Sequence, residues 1–285
     1  MTKKKEPIAA PPQVERQPRM IIESGKLIKY LDAIRAVAPD CRLEITKDGL
    51  EVIAVDTGNV ALVKASMPAA AFKEYGIPPK EIGLDLERLK SAMPLLLGED
   101  ITLTLVAQGS RLEFTGGGTT YTNALLDVNT LRKRPTMPAL RIPAGFETTP
   151  EILAKVFSAT SLIQDKILLE VADSRAVVTA ESSEGDKLQT PIECSIYPDK
   201  ADKGRGIYSL DYLKAIVKGL KGMSLVECHL GQDSPLQFIA KGDHEITYLM
   251  APRIEDDITA PPKEETPKDP EKKKPSVGAP GTENV

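Results

Sequence analysis

The sequence predicts an α+β fold of two tandem half-domains, each carrying its helices on one face of antiparallel sheet. Three observations lead there. The apolar pattern of the body repeats at an offset of 124–126 residues. Each copy contains two stretches of helical period, and the stretches around them alternate apolar and polar residues as half-buried strands do. Pattern rather than identity carries the repeat. Leu27, Ile28, Leu31, Ile34 and Ala38 recur as Ile152, Leu153, Val156, Ala159 and Ile163. Cys41, Leu43 and Ile45 recur as Ile167, Leu169 and Val171, and Leu112 and Phe114 as Leu236 and Phe238. Many antiparallel strands with two helices per half give the α+β class, because each sheet must bury one face under its helices.

Taken in order, the first helix spans 24–37. Leu27, Leu31, Ile34 and Ala38 share one face, and Ser24 precedes them as an N-cap. Asp48-Gly49 lies between two strand-like runs and signals a hairpin. Leu86, Leu89 and Met93 mark a second helix over 86–97. Pro94 sits inside it, so a short or kinked helix is expected. Ile101, Leu103 and Leu105 alternate with Thr102 and Thr104 as a strand. The third helix covers 149–164, with Thr148 or Thr149 ahead of it. Leu188, Thr190, Ile192, Cys194 and Ile196 alternate as a strand. Leu213, Ile216, Val217 and Leu220 make the fourth helix over 209–221, with Ser209 as its cap and Gly222 ending it in the left-handed region. Val226, Cys228 and Leu230 then form a strand with His229 alternating outward.

The remaining composition excludes several classes. Of 285 residues 41% are apolar and 27% charged, with a net charge of −4, so the chain is no uniformly basic nucleic-acid coat. With no Trp, 5 Phe and 7 Tyr, it lacks the aromatic platforms of single-strand binders. Cys41, Cys194 and Cys228 form no disulfide framework, and His229 and His244 are the only histidines. No zinc motif occurs, and neither a metal nor a cofactor is expected. No apolar run approaches the roughly 20 residues of a membrane span, and the N-terminus lacks the apolar stretch of a secretory signal. Residues 1–19 and 259–285 are rich in proline and charge and are expected to be disordered tails. Lys272-Lys273-Lys274 reads as part of a solvated tail. The body divides into 20–127, a linker at 128–140, and 141–258.

Charge is unevenly placed. Helix 24–37 carries Lys26, Lys29 and Arg35 against Asp32, and helix 86–97 carries Arg88 and Lys90 against Glu87. Helix 149–164 has Lys155 balanced by Glu151, and helix 209–221 has Lys214, Lys218 and Lys221 against Asp211. Basic helices on an acidic protein, with few aromatics, fit sequence-blind contacts to phosphate.

The run Ile246-Thr247-Tyr248-Leu249-Met250-Ala251-Pro252-Arg253-Ile254-Glu255-Asp256-Asp257 closely resembles the end of the DNA polymerase sliding clamps of the proliferating cell nuclear antigen family, archaeal type. Ala54 to Val63, Ile82-Gly83-Leu84-Asp85-Leu86 and Leu125-Leu126-Asp127 resemble other blocks of that family, so the resemblance covers about residues 20–258. It implies two clamp half-domains per chain and a closed ring of three chains around duplex DNA, with helices lining the hole. The DNA-facing residues it implies are Lys26, Lys29, Arg35, Arg88, Lys90, Lys155, Lys214, Lys218 and Lys221. A pocket under the linker would take short peptides of polymerase, ligase, nuclease and clamp-loader proteins. Its walls would be Val55, Val60 and Leu62, then Leu131, Met137 and Pro138 of the linker, then Pro235, Leu249, Ala251 and Pro252. The basic Arg132-Lys133-Arg134 departs from the acidic linkers of many relatives and implies an altered partner preference. Subunit contacts would fall on edge strands Arg111, Leu112, Glu113 and Phe114, running to Gly116, and Arg175, Ala176, Val177, Val178 and Thr179. The family implies a location with the DNA, in the cytoplasm of an archaeal cell or the nucleus of a eukaryotic one.

Two rival readings differ in class. An enzyme would have to use His229, His244 or the Glu255-Asp256-Asp257 run, none of which has a motif partner. A clamp-like relative, such as a checkpoint-type or heteromeric subunit, would share the fold without closing a ring alone.

Overall fold

The computed structural model describes residues 17–140, 142–197 and 203–254. The first half runs β1 (Arg19–Glu23), α1 (Ser24–Arg35), β2 (Asp40–Ile45), β3 (Gly49–Val55), β4 (Ala61–Pro68), β5 (Glu74–Tyr75), β6 (Lys80–Asp85), α2 (Leu86–Ala92), β7 (Asp100–Val106), β8 (Arg111–Gly116) and β9 (Thr119–Ala124). The second runs β10 (Ala144–Thr148), α3 (Pro150–Thr160), β11 (Lys166–Ala172), β12 (Arg175–Glu181), β13 (Lys187–Ile192), β14 (Ser195–Ile196), β15 (Gly204–Ser209), α4 (Leu210–Gly219), β16 (Val226–Leu230), β17 (Leu236–Lys241) and β18 (Glu245–Met250). Element for element the second half repeats the first, and so does the pairing. The order β5-β1-β7-β8-β9 returns as β14-β10-β16-β17-β18, and β4-β3-β2-β6 returns as β13-β12-β11-β15. One junction joins the halves. β18 pairs antiparallel with β4, from Glu245↔Ser66 to Met250↔Ala61, so one sheet of nine strands crosses between them.

The strands alternate as the sequence requires. β4 reads buried at Ala61, Val63, Ala65 and Met67, and its intervening residues face outward. The inner sheet faces meet the helices in one continuous core, whose largest fully buried side chains include Tyr30, Phe114, Phe146, Phe157, Tyr208, Phe238 and Tyr248. A buried phenol needs a partner for its hydroxyl. Tyr248 donates to the Ala33 carbonyl of α1 at 2.7 Å, and Tyr208 to the Ser234 carbonyl at 2.8 Å. Pro191 sits in β13, an edge strand, where a missing N–H is tolerated.

Helix ends follow local chemistry with two corrections. Asp85 caps α2 by accepting from the Arg88 N–H, and Thr149, not Thr148, caps α3 by accepting from the Ile152 N–H. Pro94 shortens the second helix as expected, and a 3-10 turn over Met93–Leu96 replaces its last turn. Ser24, however, is not the cap of α1. β1 stays paired with β7 up to Glu23↔Asp100, and the Ser24 N–H goes to the Glu99 carbonyl, so the neighbouring segment satisfies the helix entry. Ser209 stands at the N-cap position of α4 as expected, but its side chain accepts no capping hydrogen bond, and the Leu210 N–H goes to the Asp165 carbonyl. Gly222 adopts the left-handed turn after α4.

The N-terminal tail boundary also moves. Arg19 is already strand, opposite Thr104, with its guanidinium on Glu74 at 2.9 Å. The rest of the expected tails, residues 1–16 and 259–285, and Glu255-Asp256-Asp257 lie outside the described residues. Among the described residues no helix is long and apolar enough to cross a membrane.

Candidate functional site

The four helices form one layer in the order α2, α1, α4, α3. Leu210, Leu213, Ile216 and Val217 turn α4 toward the core, so Lys214 and Lys218 fall on its exposed face, with exposed Lys221 just past its end. Lys218 stands at the centre of the layer. It rims a groove of about 340 Å³ between α1 and α2, together with Arg35 and Lys90. It also rims one of about 360 Å³ between α3 and α4, together with Lys214 and Lys221. The nine expected cations divide into two sets. Lys26 is held by Asp243 at 3.0 Å, Arg35 by Asp32 and Glu87 at 3.1 and 3.2 Å, and Arg88 by Asp85 at 3.1 Å. Among the described residues Lys29, Lys90, Lys155, Lys214, Lys218 and Lys221 are exposed and make no ion pair, so their charge is available to an anion.

On the opposite, outer face the expected pocket walls come together through register. Val55 of β3 lies opposite Leu62 of β4, and Leu62 lies opposite Leu249 of β18. The Ala251 N–H donates to the Val60 carbonyl at 2.8 Å, which brings Ala251 and Pro252 alongside. Pro235 stands just before β17 and is half-buried. The linker crosses nearby. Leu131 and Val55 line a pocket of about 170 Å³ with Pro39, Cys41, Ile53 and Pro135. The other expected wall residues do not line that pocket: Val60, Leu62, Pro235, Leu249, Ala251 and Pro252 lie beside it, and of the linker Met137 is half-buried and Pro138 exposed.

The sequence carries no signal for what fastens the linker. The Arg42 guanidinium of β2 donates to the Arg132 carbonyl at 2.8 Å and the Leu131 carbonyl at 3.0 Å. Arg132 in turn donates to the Asp56 and Thr57 carbonyls at 2.8 and 3.0 Å and to Asn59 Oδ1 at 2.9 Å. Arg134 pairs with Glu44 and Glu51. Where the linker begins, the Leu126 N–H donates to the Gly83 carbonyl, and a Cβ on Gly83 would lie 2.5 Å from the Leu126 carbonyl oxygen. Only glycine lets the linker come this close to β6. Two arginines of the basic run are thus fasteners: Arg134 is neutralised by Glu44 and Glu51, whereas Arg132 is held by neutral oxygens alone.

The loop beneath Arg132 is organised by Asp56. Its carboxylate is buried, and it accepts from the Gly58, Val60 and Ala61 N–H groups at 2.8, 2.7 and 2.7 Å and from the Tyr212 hydroxyl of α4 at 2.7 Å. Burial raises its pKa, but these four donors outweigh burial and hold it below the ordinary carboxylate value. The sequence signal for this loop is an aspartate two residues before a glycine, an Asx turn.

Two sequence expectations are corrected. Arg111–Gly116 is β8, paired on both sides by β7 and β9, and Arg175–Thr179 belongs to β12, paired on both sides by β11 and β13. Neither is an edge, because each strand already has a neighbour from the same chain on either side. The strands at sheet ends that correspond by the repeat to β18 and β4 are β9 and β13. His229 alternates to the face of Glu227, away from the core side of Cys228, but is not exposed there. It is buried opposite Gly145, whose bare backbone leaves room for the imidazole, and it stacks on Tyr197 at 5.8 Å with Nε2 at 3.3 Å from Glu227. Among the described residues no group of three His, Cys, Asp or Glu side chains is placed to hold a metal ion.

Comparison with known proteins agrees with this geometry. Residues 20–113 match the family model for the proliferating cell nuclear antigen N-terminal domain. The DNA polymerase sliding clamp of Methanocorpusculum labreanum is 37% identical over 244 residues, covering 83% of this chain and 98% of that protein. That of Methanoculleus marisnigri is 34% identical over 234 residues, covering 80% and 94%. Among solved structures, A. fulgidus PCNA bound to the C-terminal region of FEN-1 superposes with a TM-score of 0.75 at 27% identity, covering 84% of this chain and 100% of that one. PCNA from Thermococcus kodakaraensis, at 20% identity and a TM-score of 0.73, shares the fold. With a repeated α+β half-domain, a basic helix layer on one face and a strapped apolar pocket on the other, the chain belongs to the proliferating cell nuclear antigen family of DNA polymerase sliding clamps.

Proposed function

We propose that three copies close head to tail around duplex DNA with the helix layer inward, and that the pocket beside the linker tethers clients by short peptides. The observation that carries this reading is the pair of open edges. Inside the chain, β18 of the second half is joined to β4 of the first. Their repeat counterparts are β9 and β13, which pair with β8 and β12 and have no neighbour on the other side among the described residues. An unpaired edge on each end, different from one another, supports a heterologous contact that closes by rotation. Leu95 and Leu97 stand exposed on the segment packed against β9, and Leu162 stands exposed just after α3, which packs against β13. Exposed leucines beside both edges fit a surface covered in the assembly.

The ring performs its task by topology. The six lysine ammoniums of the helix layer that make no ion pair among the described residues would meet phosphates without reading bases, so the ring slides. No chemical step belongs to the chain in this reading, and an ATP-using loader opens the ring. Clients are polymerase, ligase and nuclease proteins, each seating a helical turn with an aliphatic and two aromatic anchors against Val55, Leu62, Leu131 and Leu249. The structure of A. fulgidus PCNA with the FEN-1 C-terminal region supports this class of client.

The test combines solution mass with retention on DNA. Light scattering should give a species near three times 30.9 kDa. Protein loaded on closed circular DNA should stay bound through a salt wash and be lost when the circle is cut. A monomer in solution, or equal retention on circular and linear DNA, would contradict a self-sufficient ring.

A further inference from the structure

The linker pocket carries a charge pattern that names the chemistry of its clients. Its floor is apolar, but the charged residues that line it are Arg42, Arg132 and Lys133 against the single carboxylate of Asp40. Ion pairing does not cancel this excess. Arg42 is met by Glu81 at 3.3 Å, and Arg134, which does not line the pocket, is met by Glu44 and Glu51. Arg132 differs. All three of its acceptors are neutral oxygens, two backbone carbonyls and the Asn59 amide, so the guanidinium is fixed in place with its charge uncompensated. Lys133 is exposed and makes no ion pair among the described residues. Two adjacent cations therefore stand on the strap at the mouth of an apolar pocket, one rigid and one free.

We propose that this pocket selects clients whose apolar anchors are flanked by carboxylates, and discriminates against clients with basic flanks. The proposal rests on the client-pocket reading and adds the partner's charge to it. A carboxylate one or two residues from the anchor would reach Lys133, whose ammonium can follow it, and the face of Arg132 left open by its carbonyl bonds. A lysine at the same place meets like charge. Both groups are near solvent, so each pairing is worth about a two- to fivefold change in affinity, screened by salt and expressed largely in the association rate.

The test uses the full-length protein and three synthetic peptides with identical aliphatic and aromatic anchors, flanked by Glu, Gln or Lys, titrated calorimetrically at low and high salt. The Glu-flanked peptide should bind about tenfold more tightly than the Lys-flanked one at low salt, with the Gln-flanked peptide between them. The gap should shrink at high salt. In Lys133→Glu it should close or reverse, while the Gln-flanked peptide changes little. Lys133 is exposed and outside the core, and an unchanged melting curve would establish that this variant is folded. Equal affinities for the three peptides, or a preference that persists in Lys133→Glu, would overturn the charge selection and leave the pocket standing. Failure of all three to bind would overturn the pocket itself.

Discussion

Two buried polar side chains show how differently one sheet end and the other are built. Asp56 is enclosed and fully met by four donors, so it shapes the loop under the linker at little net cost. His244, before β18, is enclosed and met by none. Neither ring nitrogen has a hydrogen-bond partner, and the ring packs edge-on against Tyr30 at 5.7 Å. Burial lowers its pKa from 6.5 to about 4; nearby Asp243 opposes that fall and Lys29 adds to it. In the unfolded chain the imidazole takes a proton below about 6.5, whereas the native one stays neutral until about 4. Between those values the unfolded state binds more protons, so stability falls as pH drops through this window. The His244 contribution to that fall is about 2 kcal/mol between pH 7 and pH 5. His244→Phe keeps the ring against Tyr30 and forfeits no hydrogen bond. Denaturant unfolding should show it as stable as the parent at pH 7 and more stable by about that amount at pH 5. A parallel pH dependence in the two proteins would remove His244 from the account.

At the scale of elements, the repeat converts an observed junction into the geometry of an unobserved one. β18 meets β4 in the register Glu245↔Ser66 through Met250↔Ala61, with Thr247 opposite Lys64. The ladders β8·β9 and β12·β13 fix which residues correspond, because they repeat β17·β18 and β3·β4. Thr247 corresponds to Thr120 of β9 and Lys64 to Gln189 of β13, so in the proposed ring the same register would set Thr120 opposite Gln189 across the subunit boundary. Thr120 and Gln189 are both exposed, and the Cα atoms of opposed antiparallel residues, about 4.5–5.5 Å apart, fall in the range that a disulfide spans. The double variant Thr120→Cys with Gln189→Cys should therefore cross-link between chains on mild oxidation, giving covalent dimers and trimers on a denaturing gel. The same exchange at Glu113 and Val177, on the interior strands β8 and β12, should give none. This contrast also marks what sequence could show. Periods of 3.6 and 2 are local, so all four helices, the hairpin at Asp48-Gly49 and the tandem repeat could be read from it. Which strand lies at an edge depends on pairing between distant segments. β8 and β12 alternate as cleanly as their neighbours, so the expected edges fell one strand inward of the sheet ends. The lysines of α4 were legible from their spacing, but the partners that occupy Lys26 and Arg35, Asp243 and Glu87, are remote in sequence. Arg42 and Gly83 gave no signal at all, because their role exists only where the linker passes.

For the whole molecule the decisive feature is the separation of charge from its background. The chain carries −4 overall, yet Lys29, Lys90, Lys155, Lys214, Lys218 and Lys221 stand exposed together on or beside the helix layer with no ion pair among the described residues. Lys218 matters most because it stands over both interhelical grooves and no carboxylate holds it, with Lys214 one turn away on the same face. Neither contributes to the core or to an open edge, so Lys214→Ala with Lys218→Ala should leave the solution mass and melting temperature unchanged. Retention on closed circular DNA should shorten. The slope of log affinity against log salt should also fall by about 0.9 for each phosphate that the variant no longer neutralises. Arg35→Ala, whose guanidinium already serves Asp32 and Glu87, should change that slope less than either lysine does. If the lysine pair leaves both retention and salt slope untouched while the ring stays intact, the helix layer does not face DNA. Equal effects of Arg35→Ala and the single lysine variants would instead mean that local ion pairs open at no cost when DNA is present, and that total charge rather than its pairing governs sliding.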